Sequence, residues 1–155
     1  MSRRGLLRAT VAAAGLAGLG SVAGCDLFGG GGGSDEVVVA PEHAELLAGT
    51  VALADAYDEA ITRVPSLTNR LTGLRDAHRA HAQALAKALA APTPQPAAST
   101  LGGGSDPGAT MAALAELETQ GMQAARAVCL SGPERLASLV GTIAAARACH
   151  LEVLK

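Results

Sequence analysis

Apolar residues recur at every third or fourth position in four segments of the chain, which is the spacing of one face of an α-helix. The segments predict helices over about residues 42–64, 66–90, 108–130 and 133–154. Ser66 and Asp106 are predicted to cap the second and third helices. Prolines suit three helix starts and one helix end; they are Pro41, Pro107, Pro133 and Pro65.

The connections between these helices predict how they pair. The turns at 64–66 and 131–133 are short, so each must join two antiparallel neighbours. Residues 91–108 are rich in proline and glycine, which excludes a helix there. At ~3.3 Å per residue this segment can run the whole length of a neighbouring helix. We therefore expect an all-α four-helix bundle made of two helical hairpins joined by a long crossover.

The first 40 residues have a different character. Arg3, Arg4 and Arg8 precede an uncharged, largely apolar run from Ala9 to Ala23, which is shorter than the ~20 residues that span a bilayer. Small residues then lead to Cys25, and this order resembles the bacterial lipobox. It predicts a signal peptide over 1–24, a lipidated Cys25 on a glycine-rich tether over 25–40, and a folded domain over 41–155. The alternative is an ordinary signal peptide with a chance cysteine.

The segment "SRRGLLR" resembles the twin-arginine export signal, with Arg3 and Arg4 as the paired arginines. The alternative is a general secretory signal that carries two arginines by chance. Either route, together with the lipobox, predicts a chain anchored by lipid to the extracytoplasmic face of the cell membrane.

The amino-acid composition argues against two classes of binding partner. Without the three signal-peptide arginines, nine basic residues stand against 14 acidic ones, and this balance argues against a nucleic-acid partner. Tyr57 is the only aromatic residue of the predicted domain, so stacking platforms for bases or sugars are absent from the sequence. Cys129 and Cys149 fall ~20 Å or more apart along the second hairpin, too far for a disulfide, and are predicted to be separate buried thiols.

Three features resemble a family of exported actinobacterial proteins that carry a ferritin-like domain of unknown function. They are the twin-arginine lipoprotein start, the alanine-rich four-helix pattern over about 40–155, and "LRDAHRAHAQAL" at 74–85. The resemblance implies a ferritin-like bundle. Classical ferritin-like iron sites use a Glu from each of two helices and Glu-x-x-His from each of the other two. This chain has no Glu-x-x-His, and Glu118 alone on the third helix approaches the apolar face, so we predict no enzymatic activity.

His78 and His81 occupy core positions of the second helix, one turn apart on one face. Such a pair can hold one transition metal or lie beside a haem edge. His150 also faces the core, but at a level predicted to differ from that of His78 by roughly 10 Å. The alternatives are half-buried imidazoles bonded to Thr50, Asp55 or a carbonyl, or a pH sensor.

The sequence thus favours a structural or interaction role at the cell envelope, with the membrane and an envelope protein as partners and no assigned cofactor. A metal- or haem-binding role for His78 and His81 is the alternative. His43, at the start of the first helix, is predicted to be solvated.

Overall fold

The computed structural model describes residues 39–95, 101 and 104–155, which lie in one compact unit over Glu36–Lys155. These residues form helices and connections without a strand, and the four predicted helices are confirmed. The helices are α1 (Pro41–Arg63), α2 (Thr68–Leu89), α3 (Pro107–Ser131) and α4 (Glu134–Leu154). The predicted signal peptide, Arg3, Arg4 and Cys25 lie outside the described residues.

The helix ends agree with the sequence at α3 and differ at α2. Asp106 caps α3 as predicted, because its Oδ1 accepts a 2.7 Å hydrogen bond from the backbone N–H of Ala109. The predicted cap at Ser66 is wrong. Pro65 starts a short 3-10 helix, Pro65–Leu67, so Ser66 lies inside a tight turn and α2 begins at Thr68 without a side-chain cap.

Two clusters of buried apolar side chains lie at opposite ends of the bundle. The first gathers the start of α1, the end of α2, the end of α3 and the start of α4; its members include Leu47, Leu85, Val128 and Leu136. The second gathers the opposite ends and includes Val64, Leu71, Leu114 and Leu154. It follows that α1 and α4 run in one direction while α2 and α3 run in the other.

The crossover must therefore travel from the first cluster to the second. Leu101, the described residue in its middle, is buried in the second cluster, beside the start of α3. Arg63, at the end of α1, donates a 2.7 Å hydrogen bond to the carbonyl oxygen of Leu101. This contact holds the crossover against the far end of the first hairpin and confirms the predicted long connection.

The two cysteines of the second hairpin are free, as predicted. Cys129 is half-buried and its thiol lies 3.4 Å from the carbonyl oxygen of Ala137. The prediction that both thiols are buried is wrong for Cys149, which is exposed. Because His150 faces the core, the residue before it on the helix is turned toward solvent.

Among the described helices, α4 is long and apolar enough to cross a membrane by length and composition, with a mean hydropathy of 1.3. Its buried face carries Arg147 and His150, both of which find polar partners inside the bundle. A charged side chain is costly in hydrocarbon, and these contacts fit a helix of the bundle core.

Candidate metal centre

Glu118 of α3 is the centre of a buried hydrogen-bond cluster, and its side chain has no exposed surface. Its Oε1 accepts a 2.8 Å hydrogen bond from the hydroxyl of Tyr57 on α1. The same oxygen lies 2.7 Å from Nε2 of His78 on α2 and 2.9 Å from Nδ1 of His150 on α4. Each of the four helices thus contributes one side chain to this group, which we call the Glu118 cluster.

The antiparallel packing of α2 and α4 brings the two imidazoles together. The ring centroids of His78 and His150 are 4.9 Å apart, so the prediction of a 10 Å difference in level is wrong. Side chains lean toward the N-terminus of their own helix. Since α2 and α4 run in opposite directions, His78 and His150 lean toward each other.

The Glu118 cluster fixes the protonation of its members. Burial alone would raise the pKa of Glu118, but the hydrogen bonds from His150, His78 and Tyr57 outweigh burial and lower this pKa to about 2. Burial lowers the pKa of His78, which the contact with Glu118 offsets only in part. Burial, followed by the charge of Glu118, raises the pKa of Tyr57. At neutral pH the cluster therefore holds a carboxylate, a neutral His78 and a protonated Tyr57.

Arg147 of α4 adds a buried positive charge beside this cluster. Its side chain is 1% exposed, and Nη2 donates a 2.9 Å hydrogen bond to Oγ1 of Thr50. The Thr50 hydroxyl in turn donates to the carbonyl oxygen of Leu46 at 2.7 Å. Burial lowers the pKa of Arg147 and the charge of Glu118 opposes that shift, but a guanidinium stays protonated in proteins. The buried charges of Arg147 and Glu118 balance each other.

Three members of the Glu118 cluster have the chemistry of metal ligands. One ligand atom each from His78, Glu118 and His150 lies within 4.8 Å of the other two. Two imidazoles and a carboxylate are a ligand set that zinc and ferrous iron accept. His78 and Glu118 have no exposed side-chain surface, and that of His150 is 11% exposed. The arrangement is therefore shielded from solvent, although three ligands leave one position of a tetrahedral ion without a protein ligand.

A di-iron centre of the ferritin type does not fit these residues. Within the described part of the chain, the cluster has one carboxylate, Glu118, where two irons need several. On α4, Arg147 stands three residues before His150, where the Glu-x-x-His pattern requires a glutamate. Haem does not fit either, because the His78 ring is packed 5.3 Å from the ring of Tyr57 and 4.9 Å from that of His150.

The structure places His78, but not His81, in the Glu118 cluster. Their ring centroids are 6.3 Å apart, and His81 is half-buried with an Nδ1 that is buried and has no hydrogen-bond partner. The partner of His78 is Glu118 rather than the predicted Thr50 or Asp55. His43 is buried rather than solvated, because the first turn of α1 lies against Gly132 in the α3–α4 turn.

Sequence reasoning missed Tyr57 and Arg147 as members of a polar core. The apolar spacing puts Tyr57 on the buried face of its helix, where its hydroxyl requires a partner. The same spacing on α4 puts Ala146 or Arg147 on the buried face and does not choose between them. The signal that could have found it is spacing: Arg147-x-x-His150 repeats the three-residue step of His78-x-x-His81.

Neither a protein-family model, nor a curated protein, nor a solved structure matches this chain.

Proposed function

We propose that this chain is a lipid-anchored extracytoplasmic protein whose ferritin-like bundle binds a divalent transition-metal ion, without enzymatic activity. The observation that carries the proposal is the convergence of His78, Glu118 and His150 from three helices, with ligand atoms within 4.8 Å of one another in a buried core. The ferritin-like assignment is supported by the two hairpins and the crossover that spans the bundle.

The protonation of the cluster supports binding at neutral pH. Metal ligands must be deprotonated. The pKa of Glu118 is about 2 and that of His78 is lowered, so both hold the form that a cation requires. Coordination by Nε2 of His78 would place the ring proton on its Nδ1, a buried atom without a partner at present. Coordination by Nδ1 of His150 would place the proton on Nε2.

Burial of the cluster supports a storage or structural role rather than catalysis. A catalytic metal site must open its free coordination position to a substrate or water. Here His78 and Glu118 have no exposed surface, and the hydroxyl of Tyr57 lies against the same carboxylate oxygen.

The test is elemental analysis of the untagged full chain, purified from cells supplied with iron, copper and zinc. The proposal expects a stoichiometric metal that is lost in His78→Leu and in Glu118→Gln, while both variants remain helical by circular dichroism. His81→Leu is the matched control on the same helix and is expected to keep the metal. Loss in His81→Leu together with retention in Glu118→Gln would move the site to the two histidines of α2.

A second candidate is a metal-free bundle with an interaction role at the envelope. It is favoured by the balance between the buried charges of Arg147 and Glu118 and by the three contacts that Oε1 of Glu118 already makes. A chain that remains metal-free after exposure to all three metals, and whose melting temperature none of them changes, would select this candidate.

A further inference from the structure

Arg147 and Gly121, the residue on which its guanidinium rests, each lie about one helical turn along their helix from a member of the Glu118 cluster, and we call their level the Arg147 layer. Arg147 precedes His150 by three residues on α4, and Gly121 follows Glu118 by three residues on α3. Three residues advance a helix by about 4.5 Å. Because α3 and α4 run in opposite directions, both steps lead toward the same end of the bundle. His81, three residues after His78 on α2, lies one turn in that same direction.

Gly121 is the residue that admits the guanidinium to this layer. A Cβ atom on Gly121 would lie 1.5 Å from Nη1 of Arg147 and 2.8 Å from its Cζ. The planar group therefore rests directly on the backbone of α3. Its Nη2 is held by Thr50 of α1, while Nε is buried and has no partner. Contacts from two neighbouring helices thus fix the cation in the core.

We infer that Arg147 limits the bundle to one metal ion by occupying the place of a second cation. This inference rests on the proposed metal site at His78, Glu118 and His150. Paired metal ions in proteins lie about 3.5–4 Å apart. The guanidinium rests on Gly121, whose backbone lies about 4.5 Å along α3 from that of Glu118, and the charge of Glu118 acts on Arg147. A guanidinium keeps its charge and has donors but no acceptor, so it repels a metal ion and cannot bind one.

His81 places a metal-ligating group one helical turn from His78, in the direction of Arg147. Its Nδ1 is buried without a partner. A glutamate at position 147 would remove the cation, add a carboxylate and create Glu-x-x-His with His150. With His81, that change supplies the ligands that a second ion lacks in the natural chain.

The experiment measures metal per chain in the full-length protein after loading with zinc, by elemental analysis. The natural chain is expected to hold about one ion and Arg147→Glu about two. Arg147→Glu combined with His81→Leu is expected to return to about one. Two ions in the natural chain, or one in Arg147→Glu, would overturn the inference about Arg147. Either result would still support the proposed metal site at His78, Glu118 and His150. No ion in the natural chain would instead reject the proposed function.

Arg147→Glu exchanges a buried cation for an anion, so its fold is checked by circular dichroism. If it does not fold, Arg147→Gln decides the question, because it removes the charge and supplies a carbonyl oxygen. Titration with cobalt(II), followed by its visible absorption, is then expected to show a second, weaker equivalent in Arg147→Gln. Saturation at one equivalent in that variant would overturn the inference.

Discussion

Oε1 of Glu118 and Nε2 of His78 lie 2.7 Å apart between α3 and α2, and neither side chain has any exposed surface. The two helices belong to different hairpins, so this contact joins the halves of the bundle. A hydrogen bond to a buried charge is among the stronger ones in a protein. Removal of Glu118 would leave His78 buried without its partner, whereas removal of His78 would cost Glu118 one of its three contacts.

Acid is expected to destabilise the metal-free protein. Glu118 has a pKa of about 2 in the folded protein and an ordinary value of 4.5. Its contribution to the free energy of unfolding is therefore complete above pH 4.5 and is lost as the pH falls toward 2. The folded pKa of His78 lies below its ordinary 6.5, so unfolding takes up a proton and stability begins to fall below pH 6.5. Protonation of either group at low pH therefore lowers the stability of the folded protein.

The measurement is the melting temperature of the chelator-treated full chain between pH 8 and pH 3. Tyr57, His150 and Arg147 also face Glu118 from their helices, so the control must leave those groups in place. Glu118→Gln is that control and is expected to flatten the acid part of the curve. A melting temperature that stays constant as the pH is lowered from 6.5 would contradict the assignment of a buried neutral His78.

Gly121→Ala is expected to destabilise the bundle by about 1–3 kcal/mol, because the new methyl group must displace a buried guanidinium. Gly73→Ala is the matched control on α2, where a Cβ would meet nothing within 4 Å. That change is expected to stabilise by up to about 1 kcal/mol, since alanine is the better helix former. Urea unfolding measures both; equal effects would show that Arg147 does not lie against Gly121.

Ala90→Gly is expected to stabilise the protein by about 0.5–1 kcal/mol. Ala90 ends α2 with a φ of 50°, a left-handed conformation that glycine adopts without steric cost. Ala80→Gly, at an exposed position inside the same helix, is expected to destabilise by a similar amount. Opposite signs in urea unfolding support the conformation at Ala90, and a loss of stability in both variants would contradict it.

Cys25→Ser tests the membrane anchor. The variant is expected to lose lipidation and either leave the membrane or remain unprocessed, because the serine hydroxyl does not replace the lipid-bearing thiol. Cell fractionation and intact mass measure both outcomes. Cys149→Ser, which changes an exposed thiol of α4, is the control and is expected to stay anchored. Normal processing with full membrane retention of Cys25→Ser would reject the lipobox.

The periodicity of the sequence was sufficient to predict the helices, because each one needs a continuous apolar face and the prolines mark their ends. The crossover was predicted from different signals, the proline- and glycine-rich composition of residues 91–108 and the two short turns. The periodicity did not predict the relative heights of side chains on different helices, which depend on the lean of each side chain and on helix direction. The rings of His78 and His150 therefore lie closer together than the sequence predicted.

The buried polar partners were harder to predict than the fold. Glu118 and Arg147 are charged residues, and charge normally indicates a solvent-facing position. Their burial becomes favourable only when Tyr57, His78 and Thr50 are brought to them by other helices. The sequence carries the residues at the right spacing, but the pairing belongs to the tertiary structure.

Burial of the Glu118 cluster would restrict when a bound metal ion can enter or leave. An ion enclosed by four packed helices can exchange only when the bundle opens, so release would follow the slow rate of opening rather than the dissociation of individual ligands. If the predicted twin-arginine signal exports the chain already folded, the ion supply of the folding compartment, rather than that outside the membrane, would determine which metal the protein carries.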